Sequence, residues 1–175
     1  MNKLYKSIGL LAFSLSLGAT AKAQTVEFTL DAVNTFPQLS FGTVTFGDID
    51  GDNDQDVLIG GMDNTGTDIT NLYTNDGTGV FTLVTGTTFS QLSNVNASFF
   101  DVDGDGDVDL LQNGENGAGE IVTELYENDG TGTFTLNTDN TFVGLYGQIV
   151  VKDIDDDNDL DFFVTGFDGM QDRAI

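Results

Sequence analysis

The stretch Leu72-Tyr73-Thr74-Asn75-Asp76-Gly77-Thr78-Gly79-Val80-Phe81-Thr82-Leu83 returns 53 residues later as Leu125-Tyr126-Glu127-Asn128-Asp129-Gly130-Thr131-Gly132-Thr133-Phe134-Thr135-Leu136. Its centre, Asn-Asp-Gly-Thr-Gly, is built of residues that tolerate the positive φ of tight β connections, and its flanks are β-formers. The stretch reads as a β-hairpin, and its return as a structural repeat. Two further anchors recur in the same order. Thr35-Phe36-Pro37-Gln38-Leu39 comes back as Thr88-Phe89-Ser90-Gln91-Leu92 and as Thr141-Phe142-Val143-Gly144-Leu145, a step of 53 both times. An acidic run beginning at Asp48 comes back at Asp101 and Asp153, at steps of 53 and 52.

Each unit holds four short apolar or β-branched runs separated by Gly, Asn and Asp clusters; in the second they fall at 95–100, 108–112, 121–127 and 133–136. Helical periodicity is absent. Four antiparallel strands per repeat of this length describe a propeller blade, not the strand and helix of a leucine-rich repeat. The expected class is therefore all-β, with repeats at 35–87 and 88–140 and a shortened one at 141–175. Val26-Glu27-Phe28-Thr29-Leu30 stands eight residues before its anchor, as Phe81 and Phe134 do, so 24–34 reads as an orphan fourth strand. About two and a half blades do not close a ring of four to eight. A fragment of a larger propeller, or self-association through open blade edges, is the expectation.

Residues 1–23 are composed differently. Lys3 and Lys6 precede an apolar run from Ile8 to Leu17, and Ala21-Lys22-Ala23 comes after it, the pattern of a cleaved secretory signal peptide. The run is short for a membrane span, and no second one approaches spanning length. The mature chain is expected outside the cytoplasm, secreted or at the cell surface. The leader carries three of the five basic residues and none of the 29 acidic ones, so the mature net charge is −27. Such a chain repels itself unless cations neutralise it, and it also repels nucleic acid and anionic membranes. With 39% hydrophobic residues and 14 Phe it is no disordered acidic tail. The absence of Cys and His excludes disulfides, thiolate zinc sites, His-ligated metals and a Ser-His-Asp triad.

The acidic runs are Asp48-Ile49-Asp50-Gly51-Asp52-Asn53-Asp54-Gln55-Asp56, Asp101-Val102-Asp103-Gly104-Asp105-Gly106-Asp107-Val108-Asp109 and Asp153-Ile154-Asp155-Asp156-Asp157-Asn158-Asp159-Leu160-Asp161, and they hold 16 of the 29 acidic residues. Carboxylates in a row on one strand face would be untenable without a cation. Wrapped into a loop, those at positions 1, 3 and 5 converge, with a main-chain carbonyl at position 7 and a carboxylate at position 9. That donor set is hard, oxygen-only and large enough for Ca²⁺, and too crowded for the small octahedral shell of Mg²⁺. Asn53, Gly106 and Asn158 at position 6 enter the left-handed region readily, which permits the turn. Apolar residues at position 2 (Ile49, Val102, Ile154) and position 10 (Val57, Leu110, Phe162) are expected to pin both ends of each loop into the core. An EF-hand is excluded, because Ile59, Gln112 and Val164 stand where its bidentate Glu belongs. Phe89, Phe142, Tyr73 and Tyr126 read as core residues. Glu115, Glu120, Glu124 and Glu127 read as scattered and solvated, so no carboxylate pair suited to glycoside hydrolysis is nominated.

These loops and strands resemble the FG-GAP/VCBS repeat family, whose propeller blades carry an Asp-x-Asp-Gly-Asp-x-x-x-Asp calcium loop between two strands. The resemblance implies up to three Ca²⁺ sites, one per repeat. It places ligands at Asp48, Asp50, Asp52 and Asp56, at Asp101, Asp103, Asp105 and Asp109, and at Asp153, Asp155, Asp157 and Asp161. Asp54, Asp107 and Asp159 would bind through main-chain oxygen. Asp156 departs from the family's Gly. The implied role is a non-enzymatic binding, adhesion or scaffold module for an extracellular protein or polysaccharide; the alternative is the non-catalytic propeller part of a secreted polysaccharide-degrading enzyme.

Overall fold

The computed structural model describes residues 33–169. The leader at 1–23 and the orphan strand at 26–30 lie outside the described residues. The chain divides into two units, Met1–Phe36 and Pro37–Ile175. Of the first, only 33–36 is described, and it holds no strand.

The second unit is all-β. Strands β1 (Ser40–Gly47), β2 (Asp56–Met62), β3 (Asp68–Asn75) and β4 (Phe81–Leu83) form one four-stranded antiparallel sheet in chain order. Strands β5 (Leu92–Phe100), β6 (Asp109–Asn116), β7 (Ile121–Asn128) and β8 (Phe134–Leu136) form a second of the same order, and β9 (Ile149–Lys152) pairs with β10 (Asp161–Val164). None of the sheets closes on itself, and among the described residues there is no helix long and apolar enough to cross a membrane.

The first strand of the second sheet starts before the expected residue 95 because it carries a bulge between Ser93 and Asn96, where Asn94 turns to a φ of 49°. The first sheet breaks register at the same repeat position, with Phe41 at a φ of 53°. An extra residue on one strand bends it and re-aims the side chains beyond the bulge. Strand β6 runs past the expected end at 112 through polar Asn113, fully buried like Gln112, because pairing on both sides outweighs local propensity.

The sheets stack face to face, and the middle one is covered on both sides. Ile49, Leu58 and Leu72 of the first repeat pack with Phe89, Ala97, Leu110, Tyr126 and Phe134. On the opposite face, Phe100, Leu111 and Leu125 pack with Phe142, Ile149, Val151 and Phe162. Adjacent residues of a strand point to opposite faces, so Leu110 and Leu111 serve different interfaces. Each fully buried leucine contributes about 1.5–3 kcal/mol. Phe89 meets Tyr126 edge to face at 5.0 Å and 78°, confirming the aromatic anchors as packing residues.

One sequence expectation is corrected here. Glu115 and Glu127 are half-buried and accept from Asn94 Nδ2 and Asn137 Nδ2, and Glu124 is likewise half-buried, not solvated. Its Oε1 accepts from Ser90 Oγ at 2.8 Å, and its Oε2 accepts from Gln112 Nε2 at 3.0 Å and from the Tyr126 hydroxyl at 2.9 Å. Burial, followed by the Glu124 charge, pushes the Tyr126 phenol up to about 12, so it remains a donor. The Glu124 carboxylate is a structural acceptor that closes a polar network tying the β4–β5 connection to the second sheet.

Candidate metal centre

The three acidic runs form the connections β1–β2, β5–β6 and β9–β10, at one end of each sheet. The wrap of each loop is built around its first aspartate. Asp48 Oδ1 accepts from Gly51 N at 2.9 Å and Asp52 N at 3.1 Å, and its Oδ2 accepts from Asn53 N at 2.9 Å. Asp101 repeats this with Gly104 N at 2.7 Å and Gly106 N at 3.0 Å, and Asp153 with Asn158 N at 3.1 Å. Curling that tightly needs left-handed residues at positions 4 and 6. Gly51, Gly104 and Asp156 have φ of 75°, 77° and 61°, and Asn53, Gly106 and Asn158 have 69°, 100° and 76°. Asp156 therefore adopts the conformation of the glycine it stands for, at the modest cost an Asp side chain pays there.

The ninth aspartate locks the loop to the sheet. Asp56, fully buried, accepts from Ile49 N at 3.0 Å and from Asn75 N at 2.8 Å. Asp109, 1% exposed, accepts from Val102 N and Asn128 N, both at 2.9 Å. Asp161 is half-buried and accepts from Ile154 N at 3.0 Å. Asn75 and Asn128, which fasten the ninth aspartates to the sheet, are residues that sequence reasoning missed. Asn128 Nδ2 also donates to Val108 O at 3.1 Å and, across the sheet interface, to Ile49 O at 2.8 Å. Their signal was the returning Asn-Asp-Gly-Thr-Gly, read only as a hairpin turn.

Carboxylate oxygens of Asp48, Asp50 and Asp56 lie within 4.8 Å of one another, as do those of Asp101, Asp103 and Asp109, and those of Asp153, Asp155 and Asp161. Positions 1, 3 and 9 thus converge in every loop. Position 5 stands outside these triads: Asp52, Asp105 and Asp157 each accept the N–H two residues on, at 2.9, 3.0 and 3.1 Å. In the third loop Asp155, Asp157 and Asp159 form a further group. The side chains of Asp54 and Asp107 lie against Gly77 and Gly130 of the next hairpins, where any Cβ would collide with them.

The triads are electrostatically unfavourable by themselves. Burial raises the carboxyls of Asp56 and Asp109 above the ordinary carboxylate range, and burial with the charges of Asp52 and Asp48 raises Asp50. Asp50 Oδ1 and Asp153 Oδ1 are buried and accept no hydrogen bond from the described residues. Ile49 is fully buried as expected, but Ile154 is 52% exposed, so the third loop is not pinned at position 2. Ile49 is covered by Phe89, Tyr126 and Phe134 of the following repeat, and among the described residues no further sheet covers Ile154.

Antiparallel four-stranded sheets stacked in series, each with an oxygen-only loop after its first strand, define an all-β repeat protein of the propeller-blade type. Residues 48–112 match the family model of the FG-GAP-like repeat, so the resemblance read from the sequence holds over that span. The match points to a β-propeller-like binding module. No match was found among the curated proteins or among the solved structures.

Proposed function

We propose that each acidic loop holds one Ca²⁺ and that the protein is a secreted, calcium-ordered binding and scaffold module that engages an extracellular protein or polysaccharide. Asp48, Asp50 and Asp56, with their counterparts Asp101, Asp103, Asp109 and Asp153, Asp155, Asp161, supply the carboxylates. Position 5 and the main chain at position 7 complete the donor set. A bound Ca²⁺ supplies positive charge, and the chain's own residues shape the cage. The observation that carries the reading is the pair of buried carboxylate oxygens, Asp50 Oδ1 and Asp153 Oδ1, that no donor among the described residues satisfies. A buried anionic oxygen without a partner is costly, and a cation among three converging carboxylates removes the cost. The leader at 1–23 and the −27 charge of the mature chain support export into calcium-containing surroundings.

Calorimetric titration of the purified protein with Ca²⁺ tests this. Up to three ions per chain are expected, with Mg²⁺ binding far more weakly. Each site occupied at a hundredfold excess over its Kd adds about 2.7 kcal/mol to stability. A folded protein that takes up no Ca²⁺ and melts identically with and without chelator would refute the reading.

A further inference from the structure

Gln91 and Gly144 hold the same place in the anchors of successive repeats, and they leave two equivalent strand edges in different states. In β3, the Leu72 carbonyl accepts from Val84 N at 2.9 Å on the side away from β2. Alternate residues of a strand direct both main-chain groups to the same side, so Thr70 also faces outward. Gln91 caps it with both ends of its amide: Oε1 accepts from Thr70 N at 2.7 Å, and Nε2 donates to Thr70 O at 3.3 Å. Beside this cap, Leu92 N donates to Thr70 Oγ1 at 3.3 Å.

The same arrangement recurs in β7 without the cap. The Leu125 carbonyl accepts from Asn137 N at 2.9 Å, which turns Thr123 outward, and Leu145 N donates to Thr123 Oγ1 at 3.1 Å. At the position of Gln91 stands Gly144, where a Cβ would collide with the Ile121 carbonyl, so the chain passes too close to carry any side chain. Next to this edge lies a cavity of about 330 Å³ lined by Thr123, Glu124, Leu125, Asn137, Asn140 and Phe142. We propose that this cavity binds a primary carboxamide, the side chain of a glutamine or asparagine in a peptide, whose carbonyl takes the Thr123 N–H and whose NH₂ donates to the Thr123 carbonyl. The protein's own Gln91 makes that contact on Thr70. Leu125 and Phe142 form an apolar wall for the methylene groups. Neither Thr123 nor Gly144 belongs to an acidic loop, so the proposal is independent of the ion sites.

The test is a ¹⁵N NMR titration of the purified protein in millimolar Ca²⁺ with the peptide Gly-Gln-Gly. A saturable shift of the Thr123 amide is expected, with the capped Thr70 amide unmoved. Dimethylating the peptide's side-chain amide keeps it neutral but removes both donors, and binding is expected to weaken at least tenfold. In Gln91→Ala, the Thr70 amide becomes responsive as well. An unmoved Thr123 amide at saturating peptide, or equal binding of the dimethylated peptide, overturns the proposal, and both readouts use the unsubstituted chain.

Discussion

Asp109→Ala and Asp161→Ala remove the same position from successive loops and are expected to differ severalfold in cost when no Ca²⁺ is present. Asp109 is 1% exposed and holds the N–H groups of Val102 and Asn128, each at 2.9 Å. Truncation strands both donors, at about 1–3 kcal/mol each, or about 2–6 kcal/mol together. Removing a carboxyl that burial has already raised returns part of its desolvation cost, which lowers the expectation to about 2–4 kcal/mol. Among the described residues Asp161 accepts one bond, from Ile154 N at 3.0 Å, beside an isoleucine that is itself 52% exposed. Water replaces that acceptor, and the loss stays under about 1 kcal/mol. Urea unfolding in chelator separates the two through the transition midpoint at constant slope. In thermal melts, each kcal/mol corresponds to about 2–4 °C for a chain of this size. Equal losses in the two variants, or a neutral Asp109→Ala, would refute the reading of position 9 as a latch between loop and hairpin.

Two further outcomes rest on the same geometry. In chelator, stability is expected to rise as pH falls from 7 toward the ordinary carboxylate value. The raised carboxyls of Asp50, Asp56 and Asp109 keep protons in the folded state that the unfolded chain releases. Below that value the trend turns over, because hydrogen bonds from Thr67, Thr78 and Thr131 lower Asp63, Asp76 and Asp129, whose contributions are then lost. Saturating Ca²⁺ inverts the upper limb, since protons compete with the ion, and melts at pH 5 and 7 with and without chelator check the sign. Asp156→Gly removes a left-handed non-glycine residue at a φ of 61° and is expected to stabilise the third loop by up to about 1 kcal/mol. A lower melting temperature in that variant would show that the Asp156 carboxylate itself contributes to the loop.

The repeat and its strands were legible because periodicity and turn chemistry are local properties. The hairpin around Gly77 and the left-handed positions Asn53, Gly106 and Asn158 carry their conformations in their residue types. The features that stayed hidden depended on partners distant in sequence. The role of Asn128 exists only because Ile49 and Val108 bring carbonyls to it. Glu124 looked solvated until Ser90, Gln112 and Tyr126 closed around it. Ile154 occupies the same pattern position as Ile49 yet lies exposed, because a residue's burial is decided by the neighbouring sheet and not by its own sequence context.

The bond from Asn128 to Ile49 spans 79 residues. At about 5–20 residues per second of synthesis, Ile49 is made roughly 4–16 s before the residue that fastens it. The first loop is thus fastened only once the second repeat has been made, and it matures with a lag of one unit.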